Sequence, residues 1–224
     1  MRLKQTYSLL LSLGLLASTA AALSGCSFRS SSQMPGQNMP MDDSMPMADQ
    51  MGDHMMTMEL GPKDAEFDLR FIDGMMLHHQ GAINMAEAAL QNSQRPEVKE
   101  LAQNIIAAQK GEIAQMQQWR QDWYPDASAE PMMYDADMNH SMMMSDEMQS
   151  GMRMDGDLGK SDDEFDLRFI NGMIPHHDGA LVMAQQALKN SDRPEIQQLS
   201  KDILRTQEAE IDLMKQWKKD WYSQ

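Results

Sequence analysis

The stretch MMLHHQGAINMA, residues 75–86, returns as MIPHHDGALVMA at residues 173–184. Four of the six histidines of the 224-residue chain lie in these two copies, and methionines stand on both sides of each His-His pair. Imidazole and thioether groups are the ligands that a soft, low-valent metal such as Cu(I) prefers. The pattern therefore has two interpretations: a copper protein, or a helical bundle with histidines in its core.

The repeat extends well beyond this stretch. Residues 66–124 align with residues 164–222 without a gap, and 33 of the 59 aligned positions are identical. From Phe67 to Ala89 apolar residues recur every three or four positions, which predicts a core helix. Pro96 then suits the first turn of a second helix. Because one two-helix hairpin cannot bury its own apolar face, two of them predict an all-α, ferritin-like four-helix bundle.

Two alternatives to an intramolecular bundle remain at this stage. Each hairpin could pair with a hairpin of another molecule, or with a helix formed in the Met-rich segments that precede it. The chain divides into a signal peptide (1–26), a Met-rich arm (27–62), a first hairpin (63–124), a Met-rich linker (125–160) and a second hairpin (161–224).

The leader directs export. Arg2 and Lys4 precede an apolar run from Leu9 to Leu23, which is too short for a good membrane span. It ends in LSGC, which resembles a bacterial lipobox with Cys26 as the lipidated residue. We expect a periplasmic or secreted protein, with a lipid anchor at Cys26 as an open option. Cys26 is the only cysteine, which excludes an intramolecular disulfide and a cysteine-based metal site.

The formal net charge of -15 disfavours nucleic acid as a partner, because the chain cannot neutralise phosphates. No segment after the leader is apolar enough to cross a membrane. We therefore expect contact with a membrane only through a lipid at Cys26.

Methionine is the strongest compositional signal, with 26 residues in the chain. The arm and the linker carry nine each, together with His54 and His140. These segments contain proline and aspartate and few bulky branched residues, so we expect them to be flexible and their methionines not to be core. Thioethers favour Cu(I) and its mimic Ag(I). An oxidation sink or an adhesive surface for a partner protein is the alternative.

Helix geometry separates the two histidines of each pair, because successive residues are rotated by about 100°. His79 lies one turn beyond Met75 and Met76, whereas His78 points toward Met85. We also expect a kink at Pro175, which replaces Leu77 in the second copy. The candidate ligands in the hairpins are His78, His79, Met75, Met76, Met85, Met116, His176, His177, Met173, Met183 and Met214. Those in the arm and linker are His54, Met51, Met55, Met56, Met58, His140, Met142, Met143 and Met144.

The sequence lacks the motif of a di-iron carboxylate enzyme, which needs Glu-x-x-His on two helices. Methionine or isoleucine occupies the position three residues before each histidine of the pairs. Glu112 and Glu210 are interpreted as solvated or structural. We expect a protein that is not an enzyme.

The pattern FDLRFIxGMxxHHxGAxxMA, followed by RPE and a C-terminal MxxW, resembles a bacterial domain-of-unknown-function family with a ferritin-like helical bundle. With its double copy, Met-rich arms and leader, the chain is similar to the exported copper-binding proteins of cyanobacteria in that family. The resemblance implies binding of Cu(I), and of Ag(I) as its mimic, outside the cytoplasm in copper resistance. The positions that match the signature are His78, His79, Met85, His176, His177 and Met183. Leu77 departs from the proline usual before the pair.

The leading hypothesis is an exported copper chaperone or sequestering protein. Its partners would be copper ions and a copper efflux or sensor protein. The alternative is a lipid-anchored interaction protein whose methionine surfaces bind another protein.

Overall fold

A computed structural model describes residues 58–223. This part of the chain forms five helices and one two-stranded antiparallel sheet. In chain order the elements are α1 (Phe67–Asn92), α2 (Pro96–Trp123), β1 (Met132–Asp135), β2 (His140–Met143), α3 (Asp146–Arg153), α4 (Phe165–Asn190) and α5 (Pro194–Tyr222). The α1–α2 and α4–α5 hairpins pack on one another within one chain. The predicted bundle of duplicated hairpins is confirmed, with the small sheet as an addition.

Local residues set the ends of the long helices. Pro96 and Pro194 occupy the first turns of α2 and α5, where a missing N–H is tolerated. Helix α1 begins at Phe67, four residues after the expected start of the first hairpin at residue 63. The reason is a turn at Asp64, whose carboxylate accepts the Glu66 N–H and whose carbonyl accepts the Phe67 N–H.

Helix α4 continues through Pro175 from Phe165 to Asn190. The expected kink therefore does not divide the helix. Proline in a helix interior costs about 3 kcal/mol, but the turns on both sides are held by burial. Met173 and His176 are both inaccessible to solvent or nearly so, so packing outweighs the missing hydrogen bond.

The core has two halves related by an approximate twofold axis. In one half the start of α1 meets the end of α4, as with Phe71 and Ala184. In the other half the end of α1 meets the start of α4, as with Ala86 and Phe169. The two helices are therefore antiparallel, and the histidine pairs lie in the middle of each.

Matching ion pairs join the hairpins at both ends. Arg95 lies 3.5 Å from the Asp166 carboxylate, and its guanidinium lies over the Trp221 ring at 4.2 Å from the centroid. The equivalent residues of the other repeat, Arg193 with Asp68 and Trp123, make the same contacts. This exchange of contacts gives the arginine of the RPE motif the same role in both copies, and it uses the second tryptophan of each repeat.

The segment expected to be a flexible linker is structured. Strands β1 and β2 and helix α3 cover the first repeat, and Ser145 caps α3 by accepting the Met148 N–H. The expectation that arm and linker methionines are not core is wrong for Met58, Met144 and Met152, which are at most 4% exposed. The bundle offers these unbranched thioethers an apolar surface that their own segments lack.

Candidate metal centre

The two histidine pairs meet where α1 crosses α4. The His78 and His176 rings have centroids 3.8 Å apart at an interplanar angle of 43°. Both residues are at most 1% exposed. Each lies at the midpoint of its helix, and these midpoints coincide because the helices are antiparallel. The sequence predicted that His78 and His79 diverge, but it did not predict that His78 meets its own counterpart.

His78 has no hydrogen-bond partner at Nδ1 or Nε2, although both nitrogens are buried. Burial lowers its pKa well below the usual range, and the neighbouring histidines lower it further. The ring is therefore neutral near pH 7, with one lone pair available in the core. A buried polar group without a partner costs about 1–3 kcal/mol. A ligand that bonds to this ring would remove that cost.

His176 is held in one tautomer. Its Nε2 lies 3.0 Å from the Arg153 carbonyl oxygen, which can only accept, so Nε2 carries the proton. Burial lowers the pKa of His176 to about 3. Its buried Nδ1 has no partner and holds the free lone pair.

His79 and His177 turn away from the crossing toward the second helix of their own hairpins. His79 Nε2 lies 2.6 Å from Glu112 Oε2, and His177 Nε2 lies 2.7 Å from Glu210 Oε2. Each carboxylate accepts a hydrogen bond from Nε2–H, and the buried Nδ1 of each ring has no hydrogen-bond partner. Carboxylates orient metal-binding histidines in this way in many proteins.

Glu112 and Glu210 are the site residues that sequence reasoning missed. They were interpreted as solvated or structural, but their side chains are only about one-fifth exposed and orient the histidines. A signal was present, because each glutamate follows its histidine by 33 residues in both copies. Within one repeat, nothing in the sequence distinguishes this glutamate from the other polar residues of its helix.

Methionine sulfur atoms approach the crossing from other elements. An ideal Cβ built on Gly179 would lie 3.0 Å from His78 Nε2 and 3.6 Å from Met58 Sδ. The imidazole and the thioether therefore both lie beside this glycine. Met58 is thus the predicted ligand of the arm that the fold brings to His78.

The other hairpin methionines lie in or against the two halves of the core. The Met85 sulfur lies against Gly172 of α4, and the Met183 sulfur lies against Gly74 of α1, so each crosses to the opposite helix. The predicted partners of His79, Met75 and Met76, do not replace Glu112 as its hydrogen-bond partner. Met75 and Met116 are fully buried in one half of the core, and Met173 and Met214 in the other.

The predicted ligands of the arm and linker do not form one group. His54, Met51, Met55 and Met56 lie outside the described residues. His140 is exposed on β2 opposite Asp135, away from the crossing. The run Met142, Met143, Met144 separates, because Met144 enters the core while Met143 is 54% exposed.

Residues 58–223 contain no group of three or more His, Cys, Asp or Glu side chains arranged to hold a metal. The donors at the crossing are neutral imidazole nitrogens and thioethers, which fit a soft monovalent ion. None of the described helices is long and apolar enough to span a membrane.

Comparison with known proteins gives related chains of the same fold. The family model described as Domain of unknown function (DUF305) matches residues 24–120 and again residues 68–218. Structures of CopM in Cu(I)-, Cu(II)- and Ag-bound forms are 40%, 42% and 41% identical, with TM-scores of 0.54, 0.55 and 0.54. Each match covers 69% of this chain and 97% of CopM.

Two further relatives carry no functional description. A DUF305 fragment from Deinococcus radiodurans is 29% identical with a TM-score of 0.51, over 69% of this chain and 95% of that one. An uncharacterized protein of Acanthamoeba polyphaga mimivirus is 41% identical over 49 residues. That match spans 22% of this chain and 32% of the viral protein.

Proposed function

The chain belongs to the DUF305 family, and from this premise we propose that it is a non-enzymatic copper-binding protein that sequesters or chaperones Cu(I). It would also take up Ag(I), contribute to copper resistance, and act in the periplasm or after secretion. The copper- and silver-bound structures of CopM, about 40% identical, support this proposal.

The observation that carries the proposal is the environment of His78. Both of its ring nitrogens are buried without a partner, its ring lies against His176, and the Met58 sulfur lies beside the same glycine, Gly179. A core histidine kept only for packing would be expected to have its nitrogens hydrogen-bonded. His78 and Met58 are the residues that would hold the ion, with His176 Nδ1 as a further donor.

The donor set favours Cu(I) over harder ions for a physical reason. The ligands are uncharged, so a divalent cation would enter the low-dielectric core without compensating charge. A monovalent soft ion pays a smaller desolvation cost and gains from polarisable sulfur. Thioethers need no deprotonation, so binding through Met58 would persist at acidic pH.

The test is a Cu(I) titration of the mature protein against a competing chelator, followed by X-ray absorption. We expect more than one equivalent of Cu(I), with both sulfur and nitrogen neighbours. His78→Asn should weaken the tightest site at least tenfold, because it removes the unpartnered imidazole. His140→Asn, at an exposed histidine, is the matched control and should bind as the parent does. Failure of the parent protein to bind Cu(I) in competition with the chelator would refute the proposal.

The second candidate is a lipid-anchored interaction protein. This hypothesis is supported by two exposed methionines of the β1–β2 hairpin, Met138 at 64% and Met143 at 54%. On this hypothesis the parent protein and His78→Asn would bind a partner equally well with or without copper. Induction of the gene by copper stress would favour the first function.

A further inference from the structure

The β-hairpin sorts four methionines into two cross-strand pairs. Met132 lies opposite Met143, and Met133 lies opposite Met142. Because alternate residues of a strand point to opposite faces, these pairs occupy opposite faces of the sheet. Met133 packs against the bundle core. The Met132–Met143 pair therefore lies on the other face of the sheet.

Met132 and Met143 line a cavity of about 540 Å³ between the hairpin and the end of α2. Side chains directly opposite on antiparallel strands have Cβ atoms about 4.5–5.5 Å apart, so two flexible thioethers can converge on one ion. The Ser128 hydroxyl, also in the lining, donates to the Met143 sulfur at 3.4 Å. Glu66 and Asp126, which carry carboxylates, also line this cavity.

The ion pair between the partly exposed Arg120 and the buried Asp73 holds this cavity in place. Arg120 donates to Asp73 at 2.5 Å, and to the Ser128 carbonyl at 2.7 Å. Asp73 also accepts the Met132 N–H at 2.9 Å. One carboxylate thus fixes the β1 strand and, through Arg120, the loop that carries Ser128.

The second repeat lacks this support. The positions equivalent to Asp73 and Arg120 are Asn171 and Lys218, and Asn171 is exposed. The Asp73–Arg120 pair is therefore specific to the repeat that the hairpin covers. A role in shaping this cavity explains why it occurs only once.

We propose that Met132 and Met143 form a second soft-metal site, which binds one Cu(I) or Ag(I) ion through two thioethers at the protein surface. This inference rests on the proposed function and adds a site separate from the buried histidines. The carboxylates of Glu66 and Asp126 attract the cation to the cavity, and the sulfur atoms select a soft ion. The exposed position suits capture from solution before transfer inward.

The experiment uses Ag(I), which has no competing redox chemistry with the protein, and protein labelled with ¹³C at the methionine methyl groups. We expect the Met132 and Met143 methyl resonances to shift together, with one ion bound by the pair in addition to the ion at the buried site. Met132→Leu/Met143→Leu should bind one Ag(I) fewer than the parent. Met138→Leu/Met148→Leu is the matched control, since both residues are exposed but not paired across strands. It should bind the parent number of ions.

Three outcomes separate this inference from the proposed function. If Met132→Leu/Met143→Leu, folded by circular dichroism, keeps the full number of ions, the surface site is refuted and the buried site stands. If the parent binds no Ag(I), both proposals fail. If His78→Asn loses its buried equivalent but the Met132 and Met143 resonances still shift together, the two sites are independent as proposed.

Discussion

The two repeats share their helices and their histidines but differ in what covers them. Arg70 in the first repeat is fully buried and donates to Leu60, Pro62 and Ser141. Its counterpart Arg168 makes the equivalent bonds to Leu158 and Lys160, but its side chain is 34% exposed. The difference is the β-hairpin, which adds a third acceptor and excludes water on one side only.

The same asymmetry reaches the histidines. The Met58 thioether lies beside Gly179, and neither nitrogen of His78 has a hydrogen-bond partner. The Arg153 backbone lies beside Gly81, and its carbonyl accepts a hydrogen bond from His176 Nε2–H. Two histidines at equivalent positions are therefore chemically unequal. Duplication supplied a symmetric frame, and the connecting segments gave its halves different chemistry.

The largest effect that tests this comparison is expected at the arginines. Arg70→Ala should reduce the free energy of unfolding by about 4 kcal/mol, because it leaves a cavity and unpaired buried acceptors. Arg168→Ala should cost about 1 kcal/mol, since water reaches its acceptors. Urea unfolding followed by circular dichroism measures both. Equal losses would show that the hairpin adds nothing to the first repeat.

The glycines should differ in the same direction by a smaller amount. A Cβ at Gly81 would overlap the Arg153 carbonyl, which is backbone and cannot move alone. Gly81→Ala should therefore cost about 3 kcal/mol, at the upper end for overpacking. At Gly179 the nearest atom is the His78 ring, which can shift, so Gly179→Ala should cost about 1 kcal/mol. Thermal and urea unfolding of the two variants, compared with the parent, decide the order.

Acid should destabilise the metal-free protein through its buried histidines. Burial lowers the pKa of His176 to about 3, whereas an unfolded histidine titrates near 6.5. The unfolded chain therefore binds a proton first as the pH falls, and stability present above pH 6.5 is lost between pH 6.5 and 3. From pH 7.5 to 5 the contribution of His176 should fall by about 2 kcal/mol.

The control for this pH effect is His176→Asn, which cannot titrate. Its unfolding free energy should change less between pH 7.5 and 5 than that of the parent. At pH 7.5 His176→Asn should also be less stable than His78→Asn, because only His176 bonds to the Arg153 carbonyl. An unchanged pH slope in His176→Asn would contradict the burial-driven lowering of its pKa.

Much of the fold was determined by the sequence alone. Apolar spacing of three and four residues, Pro96 and Pro194 at helix starts, and the repeat itself predict two similar hairpins. These signals suffice because helix formation depends on residues within a few positions of one another. Methionine and histidine content likewise indicated a soft metal, since ligand chemistry belongs to the side chain wherever it lies.

Only the tertiary structure decided which of these residues meet. The contact of His78 with His176 joins positions 98 residues apart, and the approach of Met58 to Gly179 joins segments still farther apart in the chain. Composition suggested that residues 125–160 lack structure, because it cannot register the apolar surface that the bundle offers them. Packing also brought His79, His177 and His176 to their hydrogen-bond acceptors, which are Glu112, Glu210 and the Arg153 carbonyl. The stretch at residues 75–86 and its copy at 173–184 specify the types of ligand, and long-range packing selects which of those side chains are free to bind.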